Sequence, residues 1–110
     1  MKKYVAIYNS TPEAKAQMVN ITPEQAAEGM KPWAVWKEKC GSALVDMGAP
    51  LVAGQLADTS GNRAGSGSNV SGYSIVQGES LEDVKALFKD HPHLSWAPDS
   101  SIEIFECAAI

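Results

Sequence analysis

The feature that most constrains this chain is the order in which its hydrophobic periodicity changes. It runs from alternation by twos to helical spacing, then through two short strand-like runs, a second helical stripe and a last alternating stretch. Lys3 to Tyr8 opens the series, with Tyr4, Ala6 and Tyr8 on one face and Lys3, Val5 and Ile7 on the other. A chain of 110 residues has room for one core of ordinary size. The expectation is therefore a single domain spanning residues 1–110.

Asn9 to Asn20, with Ser10, Thr11 and Pro12, reads as a loop holding at most one helical turn. Thr22-Pro23-Glu24-Gln25 is a strong helix opening. The Thr22 hydroxyl can accept the Gln25 amide, Gln25 can reach back, and Pro23 sits where a missing N–H costs nothing. From Pro23 an apolar face recurs through Ala26, Met30, Trp33, Ala34, Cys40, Ala43, Leu44 and Met47, which predicts a helix kinked near Gly29 by Pro32. Gly48 and Pro50 mark its stop. Leu51–Leu56 and Tyr73–Gln77 then read as the second and third strands.

Between those strands, Asp58 to Gly72 is crowded with Gly, Ser and Asn. It lacks the Gly-Lys-Ser/Thr ending of a phosphate loop and precedes a strand, so it reads as a long hairpin loop. Ser80 and Asp83 cap a second helix with Leu81, Val84, Leu87 and Phe88 on its buried stripe, ending before Pro92. Ile102–Cys107 closes the chain as a strand. The sum is an α+β chain in the ferredoxin-like βαββαβ order, an antiparallel sheet with two helices on one face. The other face would carry large apolar residues, which predicts a homodimer with sheet stacked on sheet.

Thirteen acidic and nine basic side chains give a net charge of −4, with no Lys/Arg cluster, so nucleic acid is not an expected partner. Lys2 and Lys3 precede an apolar run too short for a signal core or a membrane span, which places the chain in the cytoplasm with no membrane partner. Cys40 and Cys107 have no metal-ligand spacing and read as buried thiols, with a single disulfide as the alternative.

Several segments together resemble the YCII-related family: Met1 and Lys3 to Tyr8, the Trp33–Trp36 helix, Gly48-Ala49-Pro50-Leu51, Gly72-Tyr73-Ser74-Ile75, Asp90 to Leu94, and Ile102-Glu103-Ile104. The resemblance covers nearly the whole chain. It implies a dimeric α/β barrel with a cleft between sheet and helices in each subunit. It also implies, by analogy with some relatives, cofactor-independent chemistry on hydroxylated or halogenated aromatic compounds by a His/Asp pair. The chain departs from that pattern. The stretch Pro23 to Met47 contains no histidine, and the expected Asp-Pro after the second helix reads His91-Pro92, with Asp90 one place earlier.

His91 and His93 are the only histidines, and imidazole alone has an ordinary pKa near neutrality. Two residues apart on extended backbone they would point in opposite directions, which argues against a shared metal. His93 is the candidate general acid or base, against the plainer reading of a loop histidine bonded to backbone. His91, the second candidate, reads more simply as a cation at a helix C-terminus. Asp46, taken as a helix-end acid in an unfavourable dipole position, is the third.

Trp33 and Trp36, with Met30 nearby, could wall an aromatic pocket. The plainer reading makes Trp33 core and Trp36 an interface or partly exposed ring. Tyr4, Tyr8 and Tyr73 could offer hydroxyls to a phenol or carboxylate, and Tyr73 joins the two tryptophans as a candidate ligand residue. Cys107 reads as packing. No metal and no cofactor is expected. Two functions remain open: a small acid/base enzyme acting on an aromatic or enol-like molecule, or a non-catalytic dimeric module that binds a small ligand or regulates.

Overall fold

A computed structural model describes residues 1–61, 63–65 and 68–109; for Met18, Val19 and residues 63–65 only the backbone is described. The element order is β1 (Lys2–Asn9), α1 (Pro12–Val19), α2 (Pro23–Cys40), a 3-10 turn (Gly41–Ala43), β2 (Leu44–Pro50), β3 (Gln55–Ala57), β4 (Arg63–Gly65), β5 (Val70–Gly78), α3 (Leu81–Leu87), α4 (Pro92–Trp96) and β6 (Ser101–Glu106). Four strands form a sheet in the order β2-β5-β1-β6, every neighbouring pair antiparallel. This is the ferredoxin-like arrangement, with β3 and β4 added as a separate two-stranded hairpin.

The alternation of β1 decides the layering. Tyr4, Ala6 and Tyr8 are buried, and β5 matches them with Gly72, Ser74 and Val76 in register. Trp36 and Cys40 from α2, and Val84 and Phe88 from α3 and its end, close over this face to make the core. Ile102 and Ile104 of β6 border it. Val5, Ile7, Tyr73 and Ile75 lie on the opposite face and are only half-buried, beside an exposed Phe105. None of the described helices is long and apolar enough to cross a membrane.

The capping box at Thr22 forms as the sequence predicts: Gln25 N–H donates to Thr22 Oγ1 at 3.1 Å, and Thr22 N–H donates to Gln25 Oε1 at 2.9 Å. Three other expectations are corrected. Residues 12–19 form a full helix, opened by Thr11, whose hydroxyl accepts the Ala14 amide at 3.2 Å, and by Pro12 in the first turn. Helix α2 ends at Cys40, with Gly41 at φ 56° as its cap, rather than running on to Met47.

The second strand of the sheet is consequently Leu44–Pro50, and Leu51–Leu56 is largely irregular, with only Gln55–Ala57 extended into the hairpin. The spacing of Cys40, Ala43, Leu44 and Met47 imitates a helical stripe. The left-handed turn at Gly41 and the partner strand β5 override it. Of the glycine-rich stretch 58–72, residues 62, 66 and 67 lie outside the described residues; the rest supplies β4 and the start of β5.

Strand β2 is irregular where it approaches the site. Its register against β5 shifts on both sides of Asp46, and Gly48 adopts φ 78°. A Cβ at Gly48 would collide with the carbonyl oxygen of Tyr73, so glycine is required at this bulge. The Cys107 thiol is exposed and Cys40 is buried, both free, because β6 ends at Glu106 and residue 107 leaves the packed alternation.

Candidate functional site

Both histidines are placed by the chain reversal between α3 and α4. Asp90, at φ 58°, turns the backbone out of α3, and His91 is extended at φ −60° and ψ 142°. Pro92 then begins α4 where no amide hydrogen is needed. His91 is thus the N-cap of a new helix and not a cation at the end of the old one: its Nδ1 accepts the backbone N–H of His93 at 3.0 Å. An imidazole that accepts through Nδ1 is neutral and carries its hydrogen on Nε2.

That nitrogen lies 3.4 Å from the Tyr8 hydroxyl. The Tyr8 hydroxyl is 2.7 Å from Ser74 Oγ, which donates to the Met47 carbonyl at 2.7 Å. Since a carbonyl only accepts, the direction of the whole chain is fixed: His91 Nε2–H to Tyr8, Tyr8 O–H to Ser74, Ser74 O–H to Met47. The bulge at Gly48 supplies the last acceptor.

His91 is 1% exposed and enclosed by rings. The centroids of Trp36, Trp33, Tyr8 and Phe88 stand 4.5, 4.6, 5.2 and 5.6 Å from its own. Burial, and secondarily the neighbouring His93, hold its pKa down to about 4. Ring faces attract cations, by at most about 2 kcal/mol when desolvated. Burial outweighs that attraction here, and protonating Nδ1 would also break the cap. Burial likewise pushes the Tyr8 hydroxyl up to about 12, which keeps it a hydrogen-bond donor at neutral pH.

His93 is 6% exposed. Its Nε2 lies 2.8 Å from the Asn9 carbonyl, so that nitrogen carries hydrogen and Nδ1 is the ring nitrogen left for another partner. Among the described residues Nδ1 has no partner, and the only fully enclosed side-chain polar atom without one is Ser100 Oγ. Nδ1 therefore keeps contact with solvent. Trp96 stacks on His93 with centroids 6.0 Å apart and planes 20° apart, and Tyr8 stands 5.2 Å away. His93 lies on a helix rather than on extended backbone, so the two imidazoles are both buried near Tyr8 instead of pointing apart.

The structure separates the other candidates. Trp33 and Trp36 both reach His91, with their plainer roles exchanged: Trp36 is core at 3% exposure, its indole N–H donating to Leu87 O at 2.8 Å, and Trp33 is the half-buried ring at the edge. Met30 is exposed and is no part of the ring cluster around His91. Asp46 lies on β2, not at a helix end; its Oδ1 accepts the Gly48 N–H at 2.8 Å and so shapes the bulge. Tyr73 faces the other side of the sheet, away from the histidines.

Ser74 is the site residue that sequence reasoning missed, while Tyr8, read there as a hydroxyl for a phenol or carboxylate, spends it within the protein on Ser74. A signal for Ser74 was present, because the alternation of β5 puts this hydroxyl on the core face, where a polar group must find a partner. No cluster of three or more metal-ligating side chains occurs among the described residues.

The fold and this cluster define a small α+β chain of ferredoxin-like order with a histidine-tyrosine-serine network at one end of its sheet. No family model matches the sequence, and no curated protein does. A solved structure of 5-chloro-2-hydroxyhydroquinone dehydrochlorinase from Burkholderia phenoliruptrix AC1100, in complex with 2,5-dihydroxybenzoquinone, is 16% identical. The match covers 92% of this chain and 90% of that one, at a TM-score of 0.47.

Proposed function

We propose that this chain is a YCII-related cytoplasmic enzyme that moves protons on a small aromatic or enol-like molecule without a cofactor, with His93 as the acid/base residue. The observation that carries the reading is the asymmetric anchoring of His93. Nε2–H is held by the Asn9 carbonyl while Nδ1 has no partner among the described residues, on a ring that has Tyr8 and Trp96 beside it. An enol or phenol proton passes to Nδ1, the Asn9 carbonyl stabilises the resulting imidazolium, and the same proton returns to a ring or α carbon to complete a keto-enol exchange. His91, held neutral, positions His93 through its backbone and does not itself exchange protons.

The test is deuterium incorporation at carbon in hydroxyquinol-type compounds, followed by NMR in heavy water. The native protein is expected to accelerate the exchange, and His93→Ala to lose at least about tenfold of that rate, the lower range of what a positioned acid/base contributes. Exchange at an undiminished rate in His93→Ala overturns the assignment. The second reading, a module that binds such a molecule without turnover, is favoured by the complete internal pairing of His91 and by the use of Asp46 in the bulge. It predicts saturable binding with no exchange.

The assembly belongs to the same proposal. Val5 pairs across the sheet with Phe105 on one side and Ile75 on the other, forming an apolar row on the face opposite the buried core. A second copy stacking its own sheet there accounts for that row. Sedimentation equilibrium is expected to give twice the 11.7 kDa chain mass, and a monomer at all concentrations rejects the dimer.

A further inference from the structure

A groove of about 390 Å³ lies between the second half of α2 and the α3–α4 junction, outside the histidine network. That volume is in the range of sites that take small organic molecules. Pro32, Val35, Trp36 and Pro92 supply its apolar surface, and Val35 stands 68% exposed. Lys39 and Lys89 line the same groove, both exposed. In a chain of net charge −4, neither ammonium has an acidic partner among the described residues. Asp90 also lines the groove, so two lysines and one aspartate leave it with a net charge of +1.

We propose that this groove binds a small aromatic monocarboxylate, with the ring against Val35, Pro32 and Pro92 over the buried Trp36 and the carboxylate between Lys39 and Lys89. Rigid proline surfaces suit a planar ring and lose little entropy on contact. The two unpaired cations favour one negative charge, and the Asp90 carboxylate disfavours a second. Exposed ion pairs contribute at most about 1 kcal/mol each, so each lysine changes affinity by up to about fivefold and the site works at millimolar ligand. The proposal is independent of the role given to His93.

Benzoate is the probe, with benzamide as its neutral isostere, titrated into the whole chain and followed by amide chemical shifts. Expected are saturable shifts at residues 32–39 and 89–95, benzamide binding several-fold more weakly, and a loss of up to about fivefold in each of Lys39→Gln and Lys89→Gln. Binding persists in His93→Ala. Three results would overturn the proposal: equal affinity for benzoate and benzamide in the native protein, unchanged benzoate affinity in the double lysine variant, or loss of binding in His93→Ala.

Discussion

The two faces of the sheet are built from the same strands, yet their alternate residues live in different environments. Tyr4, Ala6 and Val76 on the helix side are 1%, 0% and 0% exposed, whereas Val5, Ile7, Tyr73 and Ile75 on the other side stay half-buried and Phe105 is 51% exposed. The residues on the bare side are no less apolar. What differs is the layer above: α2 and α3 bring Trp36, Cys40, Val84 and Phe88 down on one face, and among the described residues none of the buried core cluster lies on the other. Hydrophobic patterning determines which residues share a face, and tertiary packing determines whether that face is dry.

The two faces differ most at their aromatic rings. Trp36→Ala removes a core ring, its bond to Leu87 and one wall around His91, with an expected loss of about 3–5 kcal/mol in urea unfolding. Phe105→Ala on the bare face is expected to cost under about 1 kcal/mol in the isolated chain. A loss at Phe105 that grows with protein concentration would point to the second copy.

Acid sharpens the contrast next. Because the folded pKa of His91 lies near 4, below the ordinary 6.5, the unfolded chain takes up the proton first as the pH falls. The stability that depends on neutral His91 is intact above about pH 6.5, declines through the interval and levels off below about 4, a total of about 3 kcal/mol. Subtracting the pH profile of His91→Gln from that of the native chain isolates this loss. A flat difference between pH 7 and 4 would show that the imidazole is not held neutral by its surroundings.

A smaller effect than at Trp36 or His91 is expected at Tyr8→Phe. It leaves Ser74 without the tyrosine donor and the His91 Nε2–H without an acceptor, at about 1–2 kcal/mol by thermal denaturation. The ring packing of Tyr8 against Trp33 and His91 is preserved in that variant, so a larger loss would mean that the hydrogen-bonded chain is strongly cooperative.

Much of this was legible in the residues. The alternation of Lys3–Tyr8, the capping box at Thr22 and the break before Pro92 each rest on contacts within a few positions, and the structure has them; at Ser80 it has the N-cap bond to the Asp83 amide without the reciprocal half of a box. The sequence also singled out His93 and the tryptophans. It misplaced the end of α2 because Cys40, Ala43, Leu44 and Met47 satisfy a helical spacing while Gly41 and the pairing with β5 impose a strand. For the same reason Asp46 was misread as a helix-end acid.

The network itself came from packing between distant segments. Tyr8, Ser74 and His91 lie 66 and 83 positions apart in the pairs that join them, and no local pattern reports on such pairs. A capping box or an alternating strand is a property of neighbours in sequence. The ionisation of a histidine depends on which rings and carbonyls the fold brings around it, and that is settled only when the sheet, α2 and α4 close together.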